Sequence, residues 1–205
     1  LQAHKALLAN ASHELRSPLT RIRMGLELMG GNQPSPAFRE EILRNIAELD
    51  QLVDEILLAS RLDAREADVG TVELIDLIGL AAEECARVDA ELDVTAVPEG
   101  LEVRGVAKLL RRALRNLLEN ARRYSQGDIT VVLQRHDGQA QLSVLDRGPG
   151  VPPALRERIF EPFYRLPGAS ERAGGVGLGL ALVRSIAQRH NGSVRCEDQP
   201  DGSGG

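Results

Sequence analysis

Apolar residues at Leu8, Leu15, Leu19, Ile22, Leu26 and Met29 recur at alternating steps of three and four, with Ser12 as the one polar member of the series. That spacing is a helical seam. The breaker cluster Gly30-Gly31-Asn32-Gln33-Pro34-Ser35-Pro36 interrupts it, and the same rhythm returns at Ile42, Ile46, Leu49, Val53 and Ile56 before ending near Asp63. Two long helices joined by a short loop make an antiparallel hairpin. Leu43, Leu52, Leu57 and Leu58 widen the second stripe beyond what a two-helix contact would bury, so the pattern predicts that two chains pair into a four-helix bundle.

Beyond about Ala64 to Gly70 the texture changes, which divides the chain into residues 1–66 and a second domain, residues 67–205. Strands fit Val72–Leu74, Leu92–Ala96, Leu101–Arg104, Ile129–Arg135, Gln141–Leu145 and Ser193–Cys196, with Asp137-Gly138 turning a hairpin. Helices fit Leu77–Ala90, Ala107–Tyr124, Ala154–Ile159 and Leu178–His190, the last closed by Asn191-Gly192. Strands and helices that do not alternate strictly predict an α+β fold, an α/β sandwich in which helices cover a mixed sheet.

Of the 205 residues, 42% are hydrophobic, enough for real cores. The formal net charge of -5 argues against a general nucleic-acid binder, because counterion release needs a basic surface. Cys85 and Cys196 stand far apart with no CxxC spacing, as reduced thiols of a cytosolic compartment would. No run of 18 apolar residues and no signal-peptide core is present, so any membrane link is expected through segments outside this sequence.

Four constellations could carry chemistry. In "SHELRSPLT" His13 stands beside Glu14, and Pro18 lacks the N–H that would bond the Glu14 carbonyl, which predicts a loosened helix at the histidine. A carboxylate that holds one imidazole N–H fixes the tautomer and leaves the other nitrogen a better nucleophile. The pair also fits a solvated helix face. On the helix "RRALRNLLENARRY", Arg112, Asn116, Glu119, Asn120 and Arg123 share one face while Leu110, Leu114, Leu117, Ala121 and Tyr124 form the buried one. Two weak helix formers four apart suggest a use for the amides, since an amide oxygen can ligate Mg²⁺ and an arginine can meet phosphate. An ordinary solvated face explains the same residues.

Asp146-Arg147-Gly148-Pro149-Gly150 follows a strand, so a carboxylate at a strand end is joined to glycines that let backbone approach a ring. It could accept from an exocyclic amine; the composition is also common in turns. Gly174-Gly175-Val176-Gly177-Leu178-Gly179-Leu180 opens directly into a helix, whose free amides and dipole suit phosphate. The spacing fits neither the dinucleotide fingerprint nor the P-loop. His4, His136 and His190 have no ligand-spaced companions, so no structural zinc is expected, and His190 in a last helical turn reads as a partial positive charge facing the dipole.

In this order the stretches resemble the conserved boxes of bacterial sensor histidine kinases: "SHELRSPLT" the H box, "LRNLLENARRYS" the N box, "VLDRGPGVP" the G1 box, "IFEPFYRL" the F box and "GGVGLGLALV" the G2 box. Five boxes in sequence over nearly the whole chain make the resemblance specific. It implies a dimerising phosphotransfer hairpin followed by a Bergerat-type ATP-binding domain, with ATP and Mg²⁺ as cofactors. By this resemblance His13 is the phosphoacceptor and Glu14 its activating acid. Asn120 is implied as the Mg²⁺ ligand, Asn116, Arg123 and Tyr124 as its neighbours in the nucleotide site, and Asp146 as the adenine-reading carboxylate. Gly148 and Gly150 are implied as G1 glycines, and Gly175, Gly177 and Gly179, with Leu178 between them, as the border of the phosphates. Phe160, Phe163 and Arg165 fall in the ATP lid, where the arginine is expected at the γ-phosphate.

The resemblance further implies a homodimer, a response-regulator receiver domain as partner, and a cytoplasmic fragment of a parent held in the bacterial inner membrane. Arg147 stands where the family often has Asn. Ser17 replaces the usual Thr or Asn of the motif linked to phosphatase activity, though a hydroxyl can still orient water. The chain stops at Gly205, where the family usually continues into a further strand, so the second domain reads as C-terminally truncated. The rival reading is a degenerate, non-catalytic module that dimerises and docks a receiver. Its mark would be loss of Asn120, Asp146 or the G2 glycines, all of which are present.

Overall fold

The structure is a computed structural model that describes residues 2–28, 36–63, 69–167 and 177–198. The chain divides into two compact units, Leu1–Ala64 and Arg65–Gly205. The first is a helical hairpin, α1 (Gln2–Leu28) against α2 (Pro36–Asp63).

The stripe that closes this hairpin differs from the one the periodicity picked out. Among the described side chains, Ala11, Pro18 and Gly25, seven residues apart, are the buried positions of α1, and Asn45, Leu52, Glu55, Ala59 and Leu62 are those of α2. A Cβ on Gly25 would lie 2.6 Å from the Phe38 ring, so the absent side chain is what admits that ring. Leu19 and Leu26 stay 53% and 50% exposed, and Leu43, Ile46, Val53 and Leu57 are likewise exposed. Small residues let two helices approach closely, which moves the large apolar side chains to the flanks of the contact. Pro18 does not interrupt α1: the helix runs through it, and its ring takes a buried place in the seam. Arg21 Nη2 meets Glu48 Oε2 at 2.8 Å across the hairpin.

The second unit runs β1 (Glu73–Asp76), α3 (Leu77–Val88), β2 (Glu91–Asp93), β3 (Glu102–Gly105), α4 (Ala107–Tyr124), β4 (Thr130–His136), β5 (Gln139–Leu145), two 3₁₀ turns (Pro153–Leu155 and Arg158–Phe160) and α5 (Gly179–Arg189). One sheet pairs β1 antiparallel with β3; the other has the order β2-β4-β5, parallel then antiparallel, and is therefore mixed. The β4–β5 hairpin turns on Asp137 (φ 49°) and Gly138 (φ 77°), the two left-handed residues that a twist-matched two-residue loop needs. Ile129, Val131 and Leu133 point inward at period two and meet Leu114, Leu118 and Ala121 of α4 and Leu80, Ala81 and Cys85 of α3.

Three local expectations are corrected and one is met. Ala154–Ile159 is two 3₁₀ turns rather than a helix. Residues 193–196 form no ladder, although Val194 and Cys196 are less exposed than their neighbours. The expected close of α5 at Asn191-Gly192 is present: Asn191 (φ 56°) takes the left-handed place, and the Gly192 N–H reaches back to the Ala187 carbonyl at 2.8 Å. His190 is a cross-link: its Nε2 accepts the Val106 N–H at 3.0 Å and its Nδ1 donates to the Ile186 carbonyl at 2.7 Å. An accepting Nε2 requires a neutral ring, so the positive partner of the helix dipole that its position suggested is absent.

Candidate active site

α4 is fastened from behind. Glu84 of α3 is buried and accepts from Arg115 Nε and Nη2, both at 2.9 Å, and from Arg111 Nη1 at 3.1 Å. The Arg115 guanidinium holds the Glu84 carboxyl below the usual carboxylate range against the opposing pull of burial, with Arg111 and Arg87 adding to the effect. At the other end of α4, Arg122 donates to the Val88 and Asp89 carbonyls at the close of α3. Cationic donors on orphan carbonyls also oppose the helix dipole. These bonds fix the helix that carries the two asparagines.

Those asparagines do different work. Asn116 stands on the face opposite the predicted buried stripe, yet it is 5% exposed, and its Nδ2 donates to the Gly179 carbonyl at 3.1 Å, tying α4 to the first turn of α5. A wholly solvated face for the series is therefore overturned, because α5 packs on that side of α4. Asn120, one turn on, is half-buried, and among the described residues no hydrogen-bond partner is found for its amide. Arg123 is exposed, and Tyr124, expected in the buried stripe, is 38% exposed.

The loop after β5 is drawn close to the end of α4. Asp146 is half-buried and its Oδ1 accepts the Gly148 N–H at 2.6 Å. Burial pushes its carboxyl up, and the Gly148 bond only partly offsets this. A Cβ on Gly148 would stand 2.6 Å from that same Oδ1 and 3.1 Å from the Tyr124 carbonyl oxygen, so glycine is required by close approach. Gly150 is left-handed at φ 70°.

At α5 the Gly177 carbonyl accepts the Phe163 N–H at 2.9 Å, and Gly177 has φ 76°. A side chain there would also meet Phe163 backbone at 2.9 Å. Leu178 is wholly buried, so its side chain serves the core rather than the site. It precedes α5 without capping it by a side chain, which leaves the first amides of α5 available to an anion. Upstream, Arg184 Nη2 meets Glu157 Oε2 at 2.9 Å and lies over the Phe160 ring at 5.2 Å, pinning the 3₁₀ turns to α5. Arg165 is half-buried, within the same stretch.

Of the other predicted positions, Gly175 lies outside the described residues. His13 and Glu14 lie in α1, with side chains outside the described set, and Ser17 is exposed one turn further on. Asn120, Asp146, Gly148, Gly150, Gly177 and Gly179 all belong to the second unit. No group of three or more His, Cys, Asp or Glu that could hold a metal is found among the described residues. A lone amide oxygen fits an ion that keeps most of its ligands as water and phosphate oxygen, as Mg²⁺ does. Ser125, Glu84 and Arg115 were missed. Ser125-Gln126-Gly127 after a helix is the signal that could have marked the first.

Residues 3–65 match the His Kinase A (phospho-acceptor) domain, and residues 105–205 match the histidine kinase-, DNA gyrase B- and HSP90-like ATPase family. The sensor histidine kinase CpxA of Escherichia coli (strain K12) is 36% identical over 98% of this chain and 46% of its own length. The Acinetobacter baumannii histidine kinase AdeS has the same fold (TM-score 0.71, 24% identity, 86% of each chain). ShkA, solved in complex with AMPPNP, aligns with a TM-score of 0.59 at 26% identity over 93% of this chain and 42% of that one. The chain thus spans about half the length of the curated relatives it matches. With the phospho-acceptor and ATPase domains matched in order along the chain, it belongs to the sensor histidine kinases, whose catalytic core it represents.

Proposed function

We propose that the chain transfers the γ-phosphoryl group of ATP to His13 and then passes it to an aspartate of a response-regulator receiver domain. The observation that carries this reading is the half-buried Asp146 carboxylate, followed by Gly148 and Gly150 and held beside the asparagine-bearing helix. Asp146 accepts the exocyclic amine of adenine. Gly148 lets backbone approach the base, and the first amides of α5 face the phosphates. Asn120 is the residue that would hold Mg²⁺, which when bound neutralises phosphate charge. Arg123 and Arg165 meet phosphate oxygens.

The His13 imidazole attacks the γ-phosphorus in line: a P–N bond forms, the P–O bond to ADP breaks, and the remaining ring N–H gives its proton to the Glu14 carboxylate. Glu14 holds the other ring N–H and so presents the free lone pair. Catalysis is mainly positioning and charge neutralisation. The exposed Ser17 hydroxyl, one turn from His13, orients water for dephosphorylation of the partner. Exposed leucines on α1 and α2 support a homodimer. No described helix is long and apolar enough to cross a membrane; the parent protein is anchored through other segments and works from the cytoplasmic side. Crystals soaked with AMPPNP and magnesium should show nucleotide framed by Asn120, Asp146 and Gly177, and nucleotide bound elsewhere would refute the reading.

A further inference from the structure

The base-reading carboxylate and the asparagine helix come from segments far apart in the chain, and one buried hydroxyl joins them. Ser125 ends α4 in extended conformation (φ -123°, ψ 139°), with its own N–H on the Ala121 carbonyl at 2.8 Å. The residue is 4% exposed, and its Oγ accepts two backbone N–H groups, from Gly127 and from Arg147, each at 3.2 Å. Arg147 is the residue directly after Asp146. Two more contacts fall on the same joint. The Tyr124 carbonyl oxygen lies 3.1 Å from where a Gly148 Cβ would be, and the Arg147 stem lies 3.2 Å from where a Gly127 Cβ would be.

The peptide that follows Asp146 is thereby held by α4, while the next N–H, from Gly148, is held by Asp146 itself. We infer that Ser125 is a positioning residue for base recognition, fixing the Asp146 carboxylate relative to Asn120 through the Arg147 N–H. The inference rests on the kinase reading of the site. Its physical content is that a carboxylate discriminates an amine only when it is held in place. Removing the hydroxyl leaves two N–H donors without their acceptor and frees the loop to shift.

The test compares ATP with purine riboside triphosphate, which lacks only the exocyclic amine, by calorimetric titration of the full chain with magnesium present. In Ser125→Ala the affinity ratio between the two nucleotides should fall about tenfold, mostly through weaker ATP binding. Ser125→Thr, which keeps the hydroxyl, should restore it. Ser125→Cys is near-isosteric with a poor acceptor and carries the same expectation as the alanine variant should that one fail to fold. His190→Gln loosens the opposite end of α4 and is the control: stability falls and the ratio holds.

An unchanged ratio in Ser125→Ala or Ser125→Cys with ATP still bound overturns the inference and leaves the kinase reading standing. So does a threonine variant that behaves like alanine. If the unaltered chain fails to bind ATP, the kinase reading falls, and the inference with it.

Discussion

In the ATP-binding unit Leu114, Leu118, Leu133, Leu182 and Ile186 are closed off from solvent, whereas Leu19, Leu26, Leu43 and Leu57 of the helical hairpin are at least half exposed. Both units draw on the same residue types. The difference is geometric: a sheet covered by helices closes its core within one chain, while two helices have only one mutual face and leave their other apolar flank open. Glu84, Arg115 and Arg122 then lock α3 to α4 from within. The nucleotide unit therefore closes its core alone, and the hairpin leaves an apolar flank that the proposed second copy would cover.

The comparison breaks first at the open flank. Leu43→Lys combined with Leu57→Lys should convert a dimer to a monomer in light scattering, since burying the remainder of each leucine contributes about 1 kcal/mol. ATP binding by the second unit should survive. A chain already monomeric before substitution would end the account of the hairpin.

Within the nucleotide unit, Glu84→Gln should destabilise by about 3 kcal/mol in denaturant unfolding, because Arg115 and Arg111 lose a buried charged partner. The sign of its pH dependence is fixed by the lowered carboxyl. The contribution is fully present above the ordinary carboxylate value and is lost as pH falls through the lower folded one. The glutamine variant should lack that acid limb.

Asp146→Asn acts oppositely on stability and binding. A carboxyl raised by burial takes up protons more readily folded than unfolded, so stability falls as pH rises from the unfolded value through the folded one. The variant should unfold at slightly higher temperature at pH 7 and bind ATP about 100-fold more weakly, an opposition that a purely structural aspartate would not give. The smallest effect belongs to His190→Gln, about 1 kcal/mol from the loss of the Val106 cross-link, with dimerisation untouched.

Much of this was legible beforehand where the determinants are local. Helix α4 runs Ala107–Tyr124 as its stripe predicted, and Asp137-Gly138 turns the hairpin its chemistry demands. What periodicity cannot say is which neighbour a stripe faces. Ala11, Pro18 and Gly25 carry little apolar signal, yet they close the hairpin because small residues permit approach. Asn116 looked solvated until α5, 63 residues on, covered it. Ser125 acts on Arg147 22 residues away, and His190 on Val106 84 residues away, and no local pattern encodes either bond. The Asp146 loop was readable because its glycines are adjacent to the carboxylate they serve.

The most direct measurement is incubation of the purified chain with ATP labelled at the γ-phosphate, followed by acid and base treatment. The account predicts a protein-bound label that is lost in acid, kept in base, and absent from His13→Gln. Label that persists in that variant, or that resists acid, would contradict it.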